Sequence, residues 1–271
     1  MHFLSTLDRR WIYVLIALSV GIPMVFPLKV PLGKVSAPSR RIYEFIEKLP
    51  PDSVVWFGFD YYATTRAETE PGARAVARHL FRKGHRIVAT SFITDGALIS
   101  QTVMNALAKE EGKKYGVDYA ILGYKAGGQI ALKKVCDSIP ASFPSDVNGR
   151  PLAELPILRN FRKGRDAAMA FTASDTRMFD YYAIVAATQY GVPVTGVSTA
   201  VMVPELYPYV NSGQILGILA GLKGSAEYEQ MTNMPGEATR AMDAQSVAHL
   251  VMVTLIILSN IVYFSQRPRR R

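Results

Sequence analysis

Cysteine is nearly absent from this chain. Cys136 stands alone among 271 residues, which excludes an intramolecular disulfide and a thiolate metal site. It falls on an apolar position of a predicted helix and reads as a small core residue rather than a reactive thiol. A domain without disulfides needs a full core, and residues 29–246 supply enough chain for one, also outside the cytoplasm.

Histidine is scarce as well. His2 lies in a tail, His249 in an apolar run, and His79 and His85 near the end of one predicted helix. None follows a predicted strand, so a Ser–His–Asp arrangement lacks its base. The chain has no Gly-x-Ser-x-Gly elbow, no Gly-x-Gly-x-x-Gly and no P-loop. The reading therefore leans away from an enzyme and names no metal and no cofactor.

Excess charge of one sign is small once the tails are set aside. Six arginines (Arg9, Arg10, Arg267, Arg269, Arg270, Arg271) stand against Asp8, so the tails carry five of the nine net positive charges. What remains is no nucleic-acid footprint, and the tails suit anionic headgroups at a membrane surface.

Long apolar runs are the feature the chain does have. Trp11–Leu28 carries no charged residue, with Trp11 and Tyr13 at one end and Pro23 and Pro27 at the other. Val247–Phe264 has only His249 and Asn260 as strongly polar members, and Tyr263 and Phe264 close it. Both are near the length a bilayer core of about 30 Å demands of a helix. The alternative for the first is a cleaved signal peptide, but Val-Phe-Pro-Leu-Lys is a poor cleavage site. The alternative for the second is a buried core helix. Arginines flank the outer side of each run, and the positive-inside bias places both termini in the cytoplasm.

The expected layout follows. Residues 1–10 are a cytoplasmic tail, 11–28 the first membrane helix, and 29–51 a proline-punctuated connector containing a short amphipathic helix over 40–49. Residues 52–236 form an extracytoplasmic α/β domain, 247–264 the second membrane helix, and 265–271 a basic cytoplasmic tail.

Within the domain, apolar runs alternate with helical patterns. Strands are predicted over 53–59, 86–92, 118–123, 167–173 and 192–197. The helix after the first opens at Pro71, stops at Gly84 and carries Arg74, Arg78 and Arg82 as a basic stripe. That stripe is a solvated face or a contact for phosphate, lipid or an acidic partner. Residues 138–165 read as an irregular insertion. Alternating strands and helices with short loops mean βαβ units in a doubly wound, mainly parallel sheet, flavodoxin-like or Rossmann-like.

Ligands of such sheets bind beyond the carboxyl ends of the strands. The residues expected there are Asp60 and Tyr61; Thr94 and Asp95; Tyr124, Lys125, Gly127 and Gly128; Ser174 and Asp175; Ser198 and Thr199. Asp60, Asp95 and Asp175 could converge as acid and base or around magnesium, or each could cap a helix. Lys125 with Gly127 and Gly128 could receive an anion at a helix start, or the glycines could serve the loop alone. Gly213, Gly217 and Gly221 fall four apart; on a helix they would line one face, either packed on the domain's own sheet or forming a subunit interface.

Three functions are compatible with this pattern. The favoured one is a structural or assembly subunit anchored in the bilayer, in a homo-oligomer or with other membrane proteins. The second is a sensor binding a small ligand at the strand ends. The third is a hydrolase or transferase using the aspartates.

Overall fold

A computed structural model of the chain describes residues 8–28, 30 and 33–266. His2 and Arg267–Arg271, with most of the expected tails, lie outside the described residues. The chain divides into two units, residues 32–238 and the two terminal stretches together.

The larger unit is built on six parallel strands: β1 (Val54–Asp60), β2 (Arg86–Ser91), β3 (Tyr119–Tyr124), β4 (Met169–Ser174), β5 (Val194–Ser198) and β6 (Gly217–Ala220). Their spatial order is β3-β2-β1-β4-β5-β6, a Rossmann-like order that reverses between β1 and β4. The strands are covered on both faces, which is why β1 reads Val-Val-Trp-Phe-Gly-Phe before it meets Asp60. Side chains alternate across it: Val55, Phe57 and Phe59 enter one core, and Trp56 enters the other.

The first core lies under α2 (Ala37–Glu47), α3 (Arg66–Arg82), α4 (Thr94–Glu110) and α8 (Gly221–Met231). The second lies under α5 (Gly128–Asp137), α6 (Met178–Tyr181), the π-helix Tyr182–Gln189 into which α6 continues, and α7 (Val203–Asn211). Cys136 is buried in the second core, and burial pushes its thiol up to about 12.

The amphipathic segment of the connector packs on the domain. Ile42 and Ile46 of α2 are fully buried, each a contribution of roughly 1.5–3 kcal/mol. Both outer strands are shielded. At β3 the insertion supplies the amide of Val147 to Ile121 (3.0 Å), and near its start that of Ile157 to Gly116 (2.9 Å). At β6 the shield is α2, which lies so close that a side chain on Gly217 would collide with Pro38 and Ile42.

Buried acids on α8 hold the ends of this unit. Glu227 accepts from the amide (3.2 Å) and hydroxyl (2.6 Å) of Ser36, just before α2. Glu229 accepts from the amides of Gly236 (2.8 Å) and Ala238 (3.0 Å).

α3 starts at Arg66, so Pro71 is interior to the helix instead of opening it. Gly213, Gly217 and Gly221 share no helix face. Gly213 sits at φ +80° after α7, Gly217 opens β6, and Gly221 at φ +53° starts α8. Close approach of backbone is still the reason for Gly217, but the neighbour is α2 of the same domain. The arginine stripe of α3 is paired rather than free: Arg74 and Arg78 reach Glu110, Arg78 and Arg82 reach Glu111, and Arg74 lies 3.8 Å from Glu237.

In the terminal unit, α1 (Arg9–Val25) has 17 residues and spans about 25 Å, short of a bilayer core. The helix α9 (Glu237–Gln266) has 30 and is long and apolar enough to cross a membrane. It begins ten residues before the apolar run does. On α1, and on α9 from residue 251 onward, the less exposed positions recur at alternating spacings of four and three. They are Ile12, Ile16, Ser19 and Pro23 on α1, and Val251, Leu255, Leu258 and Val262 on α9. This is the spacing of a helix–helix seam. Asp243 of α9 accepts from the amide of Val30 at 2.8 Å.

Candidate functional site at the strand carboxyl ends

The reversal of strand order leaves a crevice outside the carboxyl ends of β1 and β4, the usual ligand position in this architecture. Asp60 ends β1 and Ser174 ends β4, paired in register. Asp60 is fully buried. Its carboxyl accepts from the Phe92 amide (2.7 Å) and the Thr172 hydroxyl (3.0 Å). Burial raises its pKa to about 7 against these hydrogen bonds, and nearby Asp175 adds to the rise.

Gly58 makes room for this group. A Cβ there would stand 2.5 Å from Asp60 Oδ2, 2.6 Å from the Tyr182 hydroxyl and 3.1 Å from Thr172 Oγ1. The Tyr182 hydroxyl is buried and makes no hydrogen bond of ordinary geometry. Close by, Trp56 Nε1 donates to Thr90 Oγ1 at 2.7 Å. The result is a polar knot inside the second core, facing away from solvent.

The crevice itself is occupied by the chain. The segment after β1 turns through Ala63–Thr65 into α3. Asp95, in the first turn of α4, accepts from the Ala63 amide at 3.1 Å. Asp175, just after β4, accepts from the Thr65 hydroxyl (2.5 Å) and the Tyr62 amide (3.4 Å). Two carboxyls therefore take amides which, in a phosphate-binding loop, would face the ligand. Tyr61 is buried with its hydroxyl 3.4 Å from Glu70, and Glu70 is paired with Arg66. Glu68 accepts from the Ala200 amide at 2.7 Å.

The other expected residues divide between framework and surface. Ser174 bonds the Thr176 carbonyl (3.1 Å), and Ser198 bonds the Ser174 carbonyl (2.7 Å). Thr199 is buried, whereas Thr94 is exposed beside Asp95. Tyr124 ends β3 and Lys125 follows it, two strands from β1, where the Lys125 amide donates to the Ser91 carbonyl (2.8 Å). Gly127 and Gly128, both at positive φ, turn the chain into α5, which lacks a side-chain cap. Asp60, Asp95, Asp175, Ser174 and Ser198 thus gather near the reversal point. Tyr124, Lys125, Gly127 and Gly128 do not join them. The aspartates form no metal-holding group with other His, Cys, Asp or Glu among the described residues.

Thr172, Tyr182, Gly58 and Thr65 complete the arrangement and were not among the expected residues. Gly58 and Thr172 carry a sequence signal, being the non-apolar positions within two apolar strands. Tyr182 carries none. A cavity of about 420 Å³ lies elsewhere, near the amino ends of β5 and β6, lined in part by Phe45, Pro193, Gln214 and Leu216. Compared with protein-family models, with curated proteins and with solved structures, the chain matches none.

Proposed function

We propose that this chain is a membrane-anchored assembly module whose α/β domain works by binding protein rather than by catalysis. The observation that carries the reading is the filled crevice: Asp95 and Asp175 bind the loop after β1 where a ligand would sit. The burial of Asp60 away from that crevice weighs against its use as a nucleophile or base. The anchor is α9, with α1 as a second span that reaches full length through Phe26–Leu28. In this reading both termini are cytoplasmic and residues 29–246 lie on the other side.

A sensor reading has one feature in its favour. Asp175 Oδ1 is buried with no hydrogen-bond partner, and a donor on a small ligand could supply one.

Topology is tested by single cysteines in the native background, because Cys136 is buried and its thiol is held protonated. A membrane-impermeant thiol reagent applied from outside is expected to label Asn148→Cys and to spare Ser5→Cys and Ser265→Cys. Labelling of both Ser5→Cys and Asn148→Cys from one side would reduce the anchor to α9 alone.

A further inference from the structure

We infer that the carboxyl edge of the sheet is a self-association face, where two copies of this chain meet about a two-fold axis. This rests on the assembly reading and names its partner and surface. Seven large apolar side chains are exposed on the sheet-bearing unit among the described residues, and five of them stand at this one edge. They are Tyr62 after β1, Leu98 in the first turns of α4, Tyr124 at the end of β3, Ile130 at the start of α5 and Val201 after β5. Leu98 and Ile130 are each 70% exposed and Val201 82%, values that leave most of each side chain in water. Apolar residues scattered singly need no explanation, but a row confined to one edge marks an interaction site. The loops that carry four of them are tied together, by Asp95 to Ala63 and by the Lys125 amide to Ser91.

Charge selects the occupant. Two ion pairs within the row close inside the chain, Arg66 with Glu70 and Arg177 with Asp180 at 3.6 Å, and the carboxylates of Asp95 and Asp175 are hydrogen-bonded to neutral groups of the β1 loop. Beyond the compensated pairs, Lys125 stands at the β3 end of the row and Glu205 follows β5 near the other end. A two-fold axis through the middle brings Lys125 of one copy to Glu205 of the next, while the apolar row meets itself. Such an isologous contact is the commonest way for identical chains to pair. Anchoring in one membrane plane raises the concentration of copies for each other. The glycines expected to serve assembly pack within the domain instead, Gly217 under α2 and Gly221 against Glu68.

The test is the mass of the full-length protein in nanodiscs or mild detergent by light scattering. Wild type is expected to be a dimer. Leu98→Glu with Ile130→Glu, both at exposed positions, should give a monomer with an unchanged circular dichroism spectrum. Val117→Glu, exposed on the loop before β3, should remain dimeric. Lys125→Glu and Glu205→Lys should each weaken the dimer several-fold, and the two together should restore it, as surface ion pairs of this kind allow. An oligomer that survives the Leu98/Ile130 change overturns this face and leaves the assembly reading standing. A wild-type monomer overturns both.

Discussion

Gly96→Ala is expected to be the most damaging single methyl that can be added to this domain. Gly96 lies in the first turn of α4, where a Cβ would run into the Phe59 carbonyl oxygen and the Ser91 side chain, whose Cβ would lie 2.9 Å away. Its backbone does not need glycine, since its φ is not positive, so the cost is steric. The obstacle is main chain of the central strand, held in register by β2 and β4. Overpacking against yielding side chains costs about 1–3 kcal/mol, and a fixed carbonyl puts this case at the top of that range or above. At about 3 kcal/mol the melting temperature falls by roughly 6–12 °C for a domain of this size. A thermal melt within a degree or two of wild type would mean that α4 does not lie this close to β1. The same contact sets Asp95 beside the β1 loop, so α4 cannot retreat without releasing Ala63.

Asp60→Asn is expected to change how stability depends on pH. The ordinary carboxyl value of 3.8 applies in the unfolded chain, and about 7 applies in the fold. A raised acid binds its proton more tightly when folded. Its contribution is therefore complete below about pH 4, declines as pH rises, and is gone above about pH 7. About three pKa units correspond to roughly 4 kcal/mol between those limits. The asparagine keeps an acceptor for Phe92 and removes the titration. The difference between variant and wild type should then move in the variant's favour by several kcal/mol from pH 4 to pH 8. His79 and His85, whose values burial lowers, act in the opposite sense. Their stability contribution is full above about 6.5 and is lost as pH falls, and it cancels in the comparison of the two proteins. Denaturant melts at several pH values measure this, and parallel curves for the two proteins would show that Asp60 is not buried as a charge-averse group.

The parts of the fold legible in the sequence are those set by local pattern. Five strands announced themselves as apolar runs because a parallel sheet covered on both faces needs no polar alternation. Their helices followed from amphipathic spacing and from glycine stops such as Gly84. β6 was illegible because Gly217 and Gly221 fit a helical period as well as a strand and a turn. What decides between them is α2, more than 170 residues earlier in the chain, lying against Gly217. The π-helix Tyr182–Gln189 was equally hidden, since its apolar composition suits any buried helix. Strand order depends on pairings between distant segments, and so does the knowledge that the chain reverses beside Asp60 and Asp175.

The site was legible in place but not in use. Polar residues after each strand marked the carboxyl edge. Their hydrogen bonds turn most of them inward: Asp60 into the second core, Asp95 and Asp175 onto a loop, Ser174 and Ser198 onto backbone. Sequence gives the residue at a strand end, but the direction of its side chain depends on which neighbour offers a partner. Of the apolar residues at the same edge, Tyr124 stands among the expected strand-end residues, whereas Leu98 and Ile130 were hidden for a related reason. Leu98 and Ile130 look like core positions of their helices until the packing shows them in water.

Native mass spectrometry of the full-length protein released from gentle detergent tests the central claim most directly. A discrete homo-oligomer carrying no additional small molecule is the outcome required of a non-catalytic assembly module. A monomer holding a stoichiometric small molecule would contradict it, and would return the crevice beside Asp175 to the place of a ligand site.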